Sequence, residues 1–163
     1  MKYMKLNTSD RKELLSELEG MPQYLADNFT KLSDDETGKR SSDGSFSPIE
    51  HVWHLADLEQ EGFAFRLQQL LDESNPVLPD FEGGEIAKER NYRKLSLEEG
   101  LRAFTKSRKN NLRAIKDITE GQWFNKGLLE GVGEITLCDM PSMLSQHDTE
   151  HRKEIEVWMK ENA

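Results

Sequence analysis

Residues 47–59 read Ser47-Pro48-Ile49-Glu50-His51-Val52-Trp53-His54-Leu55-Ala56-Asp57-Leu58-Glu59, and the fold class follows from this stretch. Ser47 offers a side-chain oxygen to the unpaired N–H groups of a helix start. Pro48 suits the first helical position, and Glu50 completes a capping box. The helix opened here is expected over 47–73. It is apolar on more than one side, through Ile49, Val52, Trp53, Ala56, Phe63, Leu67 and Leu70, with Leu55, Leu58 and Phe65 beside them. A helix greasy over so much of its circumference belongs at the centre of a bundle.

Three further amphipathic segments flank it. The first, expected over 9–32, carries Leu14, Leu18, Met21, Leu25, Phe29 and Leu32 at steps of three or four, with Pro22 expected to bend or interrupt it. Ser96-Leu97-Glu98-Glu99 reads as a second capping box, opening a helix over 96–118 along Leu97, Leu101, Phe104, Leu112 and Ile115. The last, over 137–160, runs on Met140, Leu144, His147, His151, Ile155 and Trp158. Between these lie a polar loop (34–45), a Pro- and Gly-bearing crossover (75–84) with a short helical turn before Asn91, and a loop (121–133) leading into a briefly extended Glu134-Ile135-Thr136. No segment sustains a period of two, so the chain is expected to be all-α, one four-helix domain over 1–163.

The net charge of −9, from 31 acidic and 22 basic side chains, repels phosphate backbones. The basic run Lys106-Ser107-Arg108-Lys109 is short enough to be a solvated helix face, so no nucleic-acid partner is expected. The lone Cys138 excludes an intrachain disulfide and suits a reducing compartment. No apolar run reaches the roughly 20 residues of a membrane span, and the N-terminus lacks a signal-peptide core. A cytoplasmic location with no membrane partner is the expectation.

The four histidines fall in two pairs, His51 with His54 and His147 with His151. Residues four apart on a helix share a face, so His147 and His151 can converge on one ion, with a third imidazole from a neighbouring helix. Both lie in the apolar stripe between Leu144 and Ile155, where an unpaired ring nitrogen costs about 1–3 kcal/mol. Two readings remain open: metal ligands, or core histidines bonded to carboxylates such as Asp57, Glu61 or Glu154. Spacing does not decide which of His51 and His54 would ligate.

The same residues resemble the DinB-like (DinB/YfiT) superfamily of bacterial helical bundles. The resemblance rests on residues 46–59, on Pro79-Asp80, on Glu89-Arg90-Asn91-Tyr92, and on Phe104 with Arg108. It continues through Gly133-Glu134-Ile135-Thr136-Leu137 and His147-Asp148-Thr149-Glu150-His151, covering the chain from about Leu14 to Trp158. It implies a four-helix bundle with two long crossovers and a divalent metal, nickel or zinc, on His54, His147 and His151. His54 is the histidine that directly precedes Leu-Ala-Asp, and His51 becomes a neighbour behind the ligands. Relatives include transferases and isomerases that use low-molecular-weight thiols, and proteins described as hydrolases.

The expected function is therefore a metal-dependent enzyme acting on a small molecule, with the metal activating water or a low-molecular-weight thiol. The alternative is a non-catalytic metal-binding or structural bundle, stress-associated or acting through a partner; a homodimer is compatible with either. Among further candidates, Arg108 is either an anion clamp or an ion-pair partner of Glu59. Glu154 is either a base or ligand-orienting group, or an exposed charge. Asp57 and Asp148 are candidates to orient a histidine. Cys138 is read as a packing residue, and Trp53, Trp123 and Trp158 as anchors.

Overall fold

Ser47 and Glu50 form a reciprocal cap. Ser47 Oγ accepts from the Glu50 N–H at 3.4 Å, and Glu50 Oε1 accepts from the Ser47 N–H at 3.1 Å. Arg40 grips the same carboxylate at 2.8 and 2.9 Å. That double anchorage sets the start of the central helix and hence the heights at which His51 and His54 enter the bundle. The computed structural model describes residues 2–163. Its helices are α1 (Thr8–Phe29), α2 (Asp34–Thr37), α3 (Pro48–Asp57), α4 (Phe65–Asp72), α5 (Gly83–Arg90), α6 (Leu97–Lys116) and α7 (Met140–Glu161). A π-helical segment, Leu58–Ala64, joins α3 to α4. The bundle is thus α1, the α3–α4 rod, α6 and α7, an all-α four-helix architecture.

Three short strands lie at one end: β1 (Val77–Leu78), β2 (Lys126–Leu129) and β3 (Gly133–Thr136). β1 pairs parallel with β2, Val77 opposite Leu128, and β2 pairs antiparallel with β3, Gly127 opposite Ile135. The two connections expected to be loops are thereby stitched together. Only the β3 segment, 134–136, was legible as extended, because strands of two to four residues are too short to show alternation. The expected polar loop over 34–45 also contains α2, opened by its own capping box between Ser33 and Glu36.

Two helical expectations are corrected. α1 runs unbroken through Pro22. Proline lacks the N–H that would bond the Leu18 carbonyl, and Arg108 takes its place, donating from Nη1 to Leu18 O at 2.8 Å. At α6, Ser96 Oγ accepts from the Glu99 N–H at 3.2 Å, but no bond returns from the Glu99 side chain, so the cap is single.

The core has two apolar clusters. One contains Leu58, Phe63, Leu67, Leu112, Leu137 and Leu144, with Trp123 and Cys138; the other contains Met21, Leu25, Phe29, Val52, Leu55, Phe104 and Ile155. On α6, Arg108 lies between Phe104 of one cluster and Leu112 of the other. On α7, Asp148 lies between Leu144 and Ile155 in the same way, and Glu59 between Leu55 and Phe63. Arg108 donates to both carboxylates, at 3.0 Å to each oxygen of Glu59 and 2.8 Å to each of Asp148. Asn111 Nδ2 closes the layer on Glu59 at 2.9 Å. Among the described residues, no helix is long and apolar enough to cross a membrane.

Candidate metal centre

His54 projects from α3, and His147 and His151 from successive turns of α7. One nitrogen of each ring lies within 4.8 Å of the others. Ring centroids are 5.4 Å apart for His54 and His147, 5.0 Å for His54 and His151, and 4.5 Å for His147 and His151. Gly83, the first residue of α5, backs the His54 ring. A Cβ there would collide with Cε1 and lie 2.7 Å from Nδ1, so only glycine lets the ring stand where it does.

The electrostatics keep these rings neutral. Burial pushes His54 down to about 4, with His147 beside it acting in the same direction. His147 is also lowered to about 4, by burial first and then by the cations Arg108 and Arg66. His151 is lowered further still, by burial and by the three other histidines. Neutral imidazoles offer lone pairs at neutral pH, as a metal site requires. The buried Nδ1 atoms of His54 and His147 have no hydrogen-bond partner among the described residues. Asp57 and Glu61, the carboxylates that could have satisfied core histidines, are instead held by Arg90, Asp57 also accepting from the Tyr92 hydroxyl at 2.6 Å. The donor set therefore fits a divalent ion: three uncharged nitrogens facing one another, with no protein group competing for them.

His51 stands behind the trio. Its Nδ1 and the Nδ1 of His151 are 2.8 Å apart, a hydrogen bond that leaves Nε2 of His151 as the nitrogen free to ligate. An imidazole that ligates through Nε2 carries its proton on Nδ1, so with an ion on His151 Nε2 the bond would run from His151 to His51. The proton of His51 then sits on Nε2, which faces Glu154 Oε2 at 3.8 Å. His51, His151 and Glu154 also lie close enough together to suggest an ion of their own. Nitrogens that share a tetrahedral zinc stand about 3.3 Å apart at normal bond lengths. The 2.8 Å separation is that of a hydrogen bond.

The remaining candidates are distributed as follows. Arg108, 1% exposed, is saturated by Glu59, Asp148 and Leu18 O, so it belongs to the ion-pair layer and has no nitrogen left to clamp an anion. Asp148 serves that layer, and His147 Nδ1 has no hydrogen bond to it. Asp57 orients Tyr92 and Arg90, not His54. Glu154 is half-exposed, and burial together with Asp43 and Glu150 raises its carboxyl. Cys138 is buried and accepts from the Met4 N–H at 3.1 Å.

Arg66 and Gly83 were not singled out in the sequence. Arg66, on α4, lines a 210 Å³ cavity with His54, His147, Asp80, Phe81 and Met143. In an unbroken α-helix, positions 54 and 66 would stand about 120° apart. The intervening π segment adds one residue to the count and brings them to within about 20° of one face. No pattern of 3.6 could reveal that. A larger groove of 710 Å³, between Leu32, Arg93 and Leu101, lies away from the histidines and contains no cluster of ligating groups among the described residues.

Comparison with known proteins agrees with this architecture. A protein of Oceanobacillus iheyensis, named as a putative metal-dependent hydrolase, is 23% identical over 98% of this chain and 91% of its own. One of Geobacillus thermodenitrificans with the same description is 30% identical over 56% of this chain and 51% of its own. Among solved structures, YfiT from Bacillus subtilis, described as "a probable metal-dependent hydrolase with an unusual four-helix bundle topology", superposes with a TM-score of 0.86 at 16% identity, covering 96% of this chain and 89% of that one. The mycothiol-dependent maleylpyruvate isomerase superposes at 0.73 with 13% identity, and this chain spans 62% of its length. Residues 17–155, which contain all four histidines and the Arg108 layer, match the profile of the DinB superfamily, and the chain belongs to that superfamily.

Proposed function

We propose that this protein is a metal-dependent enzyme in which His54, His147 and His151 hold a divalent ion, nickel or zinc. The observation that carries this reading is the convergence of three neutral imidazoles on one another, two buried and His147 half-buried, with no carboxylate hydrogen-bonded to them among the described residues. A divalent ion there supplies the Lewis acidity that brings a water or a low-molecular-weight thiol toward ionisation near neutral pH. The chain's own residues do the rest. His51 holds His151 in the tautomer that presents Nε2, and Gly83 leaves room for the His54 ring. Leu58, Phe63, Phe81 and Met143 give the adjoining cavity an apolar wall. The names of the Oceanobacillus and Geobacillus relatives support hydrolysis, and the thiol-dependent isomerase supports thiol chemistry on the same scaffold.

Metal content per chain after reconstitution with nickel or zinc tests the proposal, on wild type and on His54→Ala, His147→Ala and His151→Ala. The expected result is about one ion per wild-type chain, near zero in each variant, and retention in the half-exposed Glu154→Gln control. A wild-type chain that takes up no ion, or variants that keep it, would overturn the reading. Ester-hydrolysis and thiol-transfer substrates are then screened on loaded and chelated protein, with turnover expected only in the former.

A further inference from the structure

Arg66 is 6% exposed, yet its buried Nε has no hydrogen-bond partner and it forms no ion pair among the described residues. Its guanidinium lies 5.6 Å from the Phe63 ring centroid, a contact that satisfies none of its N–H donors. A buried donor left without a partner is unusual, because buried polar atoms are nearly always hydrogen-bonded. The cavity it lines is the one that His54 and His147 also line, and the only carboxylate there is Asp80, which lies beyond ion-pair reach and accepts instead from the Phe81 N–H at 2.9 Å.

We infer that Arg66 is the anion-binding group of this cavity and that the substrate carries a carboxylate, held by the guanidinium fork while its reacting end faces the histidines. This substrate class deepens the enzyme reading above and rests on it; the binding itself does not require the ion. Three observations point the same way. The planar fork matches a carboxylate bidentately, and its donors are vacant. One guanidinium balances one negative charge, which suits a carboxylate better than a phosphate dianion, the more so with Asp80 nearby. A cavity of 210 Å³ has room for a small carboxylate-bearing group. An anion also offsets the repulsion between Arg66 and a cation on the neighbouring histidines.

The test uses propionate, its uncharged isostere propionamide and inorganic phosphate, titrated at constant ionic strength into chelated and zinc-loaded protein. The Nε–H resonance of Arg66, identified by its absence in Arg66→Met, reports binding in wild type; ligand-observed NMR reports it in the variants. Propionate is expected to shift that resonance saturably and propionamide not to. Arg66→Met should weaken propionate at least tenfold, and Arg66→Lys should retain part of the affinity. Equal effects of propionate and propionamide, or unchanged propionate affinity in a folded Arg66→Met, would overturn the proposal, and tighter binding of phosphate would overturn its carboxylate assignment. Metal content is measured on the same samples. Arg66-dependent propionate binding without metal uptake sustains the anion site while the metal reading falls; full metal uptake without such binding does the reverse.

Discussion

Two arginines occupy the interior of this bundle, and their surroundings are opposite. Arg108 meets Glu59, Asp148 and the Leu18 carbonyl, so each of its three nitrogens donates within 3.0 Å. Arg66 meets an aromatic ring and a cavity. The first belongs to a polar layer that is complete within the chain, set between two apolar clusters and substituting for the hydrogen bond that Pro22 cannot make. The second lies beside imidazoles that likewise lack protein partners. Burial alone does not separate a structural polar group from a functional one. What separates them is whether the chain itself supplies the missing half of each interaction.

The comparison can be broken most sharply at Arg108. Arg108→Met leaves two carboxylates buried without a cation and the Leu18 carbonyl without a donor. A loss of about 3–5 kcal/mol in urea unfolding is expected. A loss below about 1 kcal/mol would show that the layer is not what holds α1, α6 and α7 together.

Acid should act next, and on the histidine region. An unfolded imidazole titrates near 6.5, whereas His54 and His147 stay neutral in the folded chain down to about 4 and His51 to about 3. Between these limits the unfolded state binds more protons, so lowering the pH favours unfolding. The stability of the metal-free protein should be fully present above about 6.5 and fall steadily toward pH 4. His147→Gln should flatten that slope in urea melts taken at successive pH values, and an unchanged slope would mean the rings are wetter than their burial implies.

His51 sharpens the comparison from inside the site. His51→Ala removes the hydrogen-bond partner of His151 Nδ1, and if His151 holds the ion, metal affinity should fall by about 10–100-fold with the fold intact. His51→Gln, whose amide oxygen can still accept, should recover part of it. Competition with a chromophoric chelator measures both.

The smallest effect is expected at Arg66. Arg66→Met removes a guanidinium that makes no hydrogen bond or ion pair among the described residues, so thermal stability of the unliganded protein should stay level or rise by about 1 kcal/mol. A loss comparable to that of Arg108→Met would erase the distinction between the two arginines.

Much of this was legible in one dimension. The Ser47–Glu50 cap, the apolar stripes and the i,i+4 pair of His147 and His151 follow from helical geometry and turn chemistry, which are local. Placing α7's histidines in its core stripe needed only their positions relative to Leu144 and Ile155. Choosing His54 over His51 did not follow from spacing, since both lie in the first two turns of α3; the family resemblance made that choice, and the structure places His54 beside His147 and His51 behind His151. Asp57 and Asp148 looked available as partners for histidine because they are near in sequence, but each is taken by an arginine from another helix.

The sequence by itself determined the helices, the apolar stripes that pair them, and the presence of imidazoles on faces turned inward, because each depends on residues within a few turns of one another. Only the tertiary structure decided which polar groups find partners. Arg108 reaches carboxylates 49 and 40 residues away. Arg66 is turned onto the His54 face by a π segment that has no sequence period. Gly83 is required because a ring from another helix occupies the space of its missing side chain. Satisfaction of a buried group depends on contacts between elements, and neither propensity nor periodicity encodes those contacts.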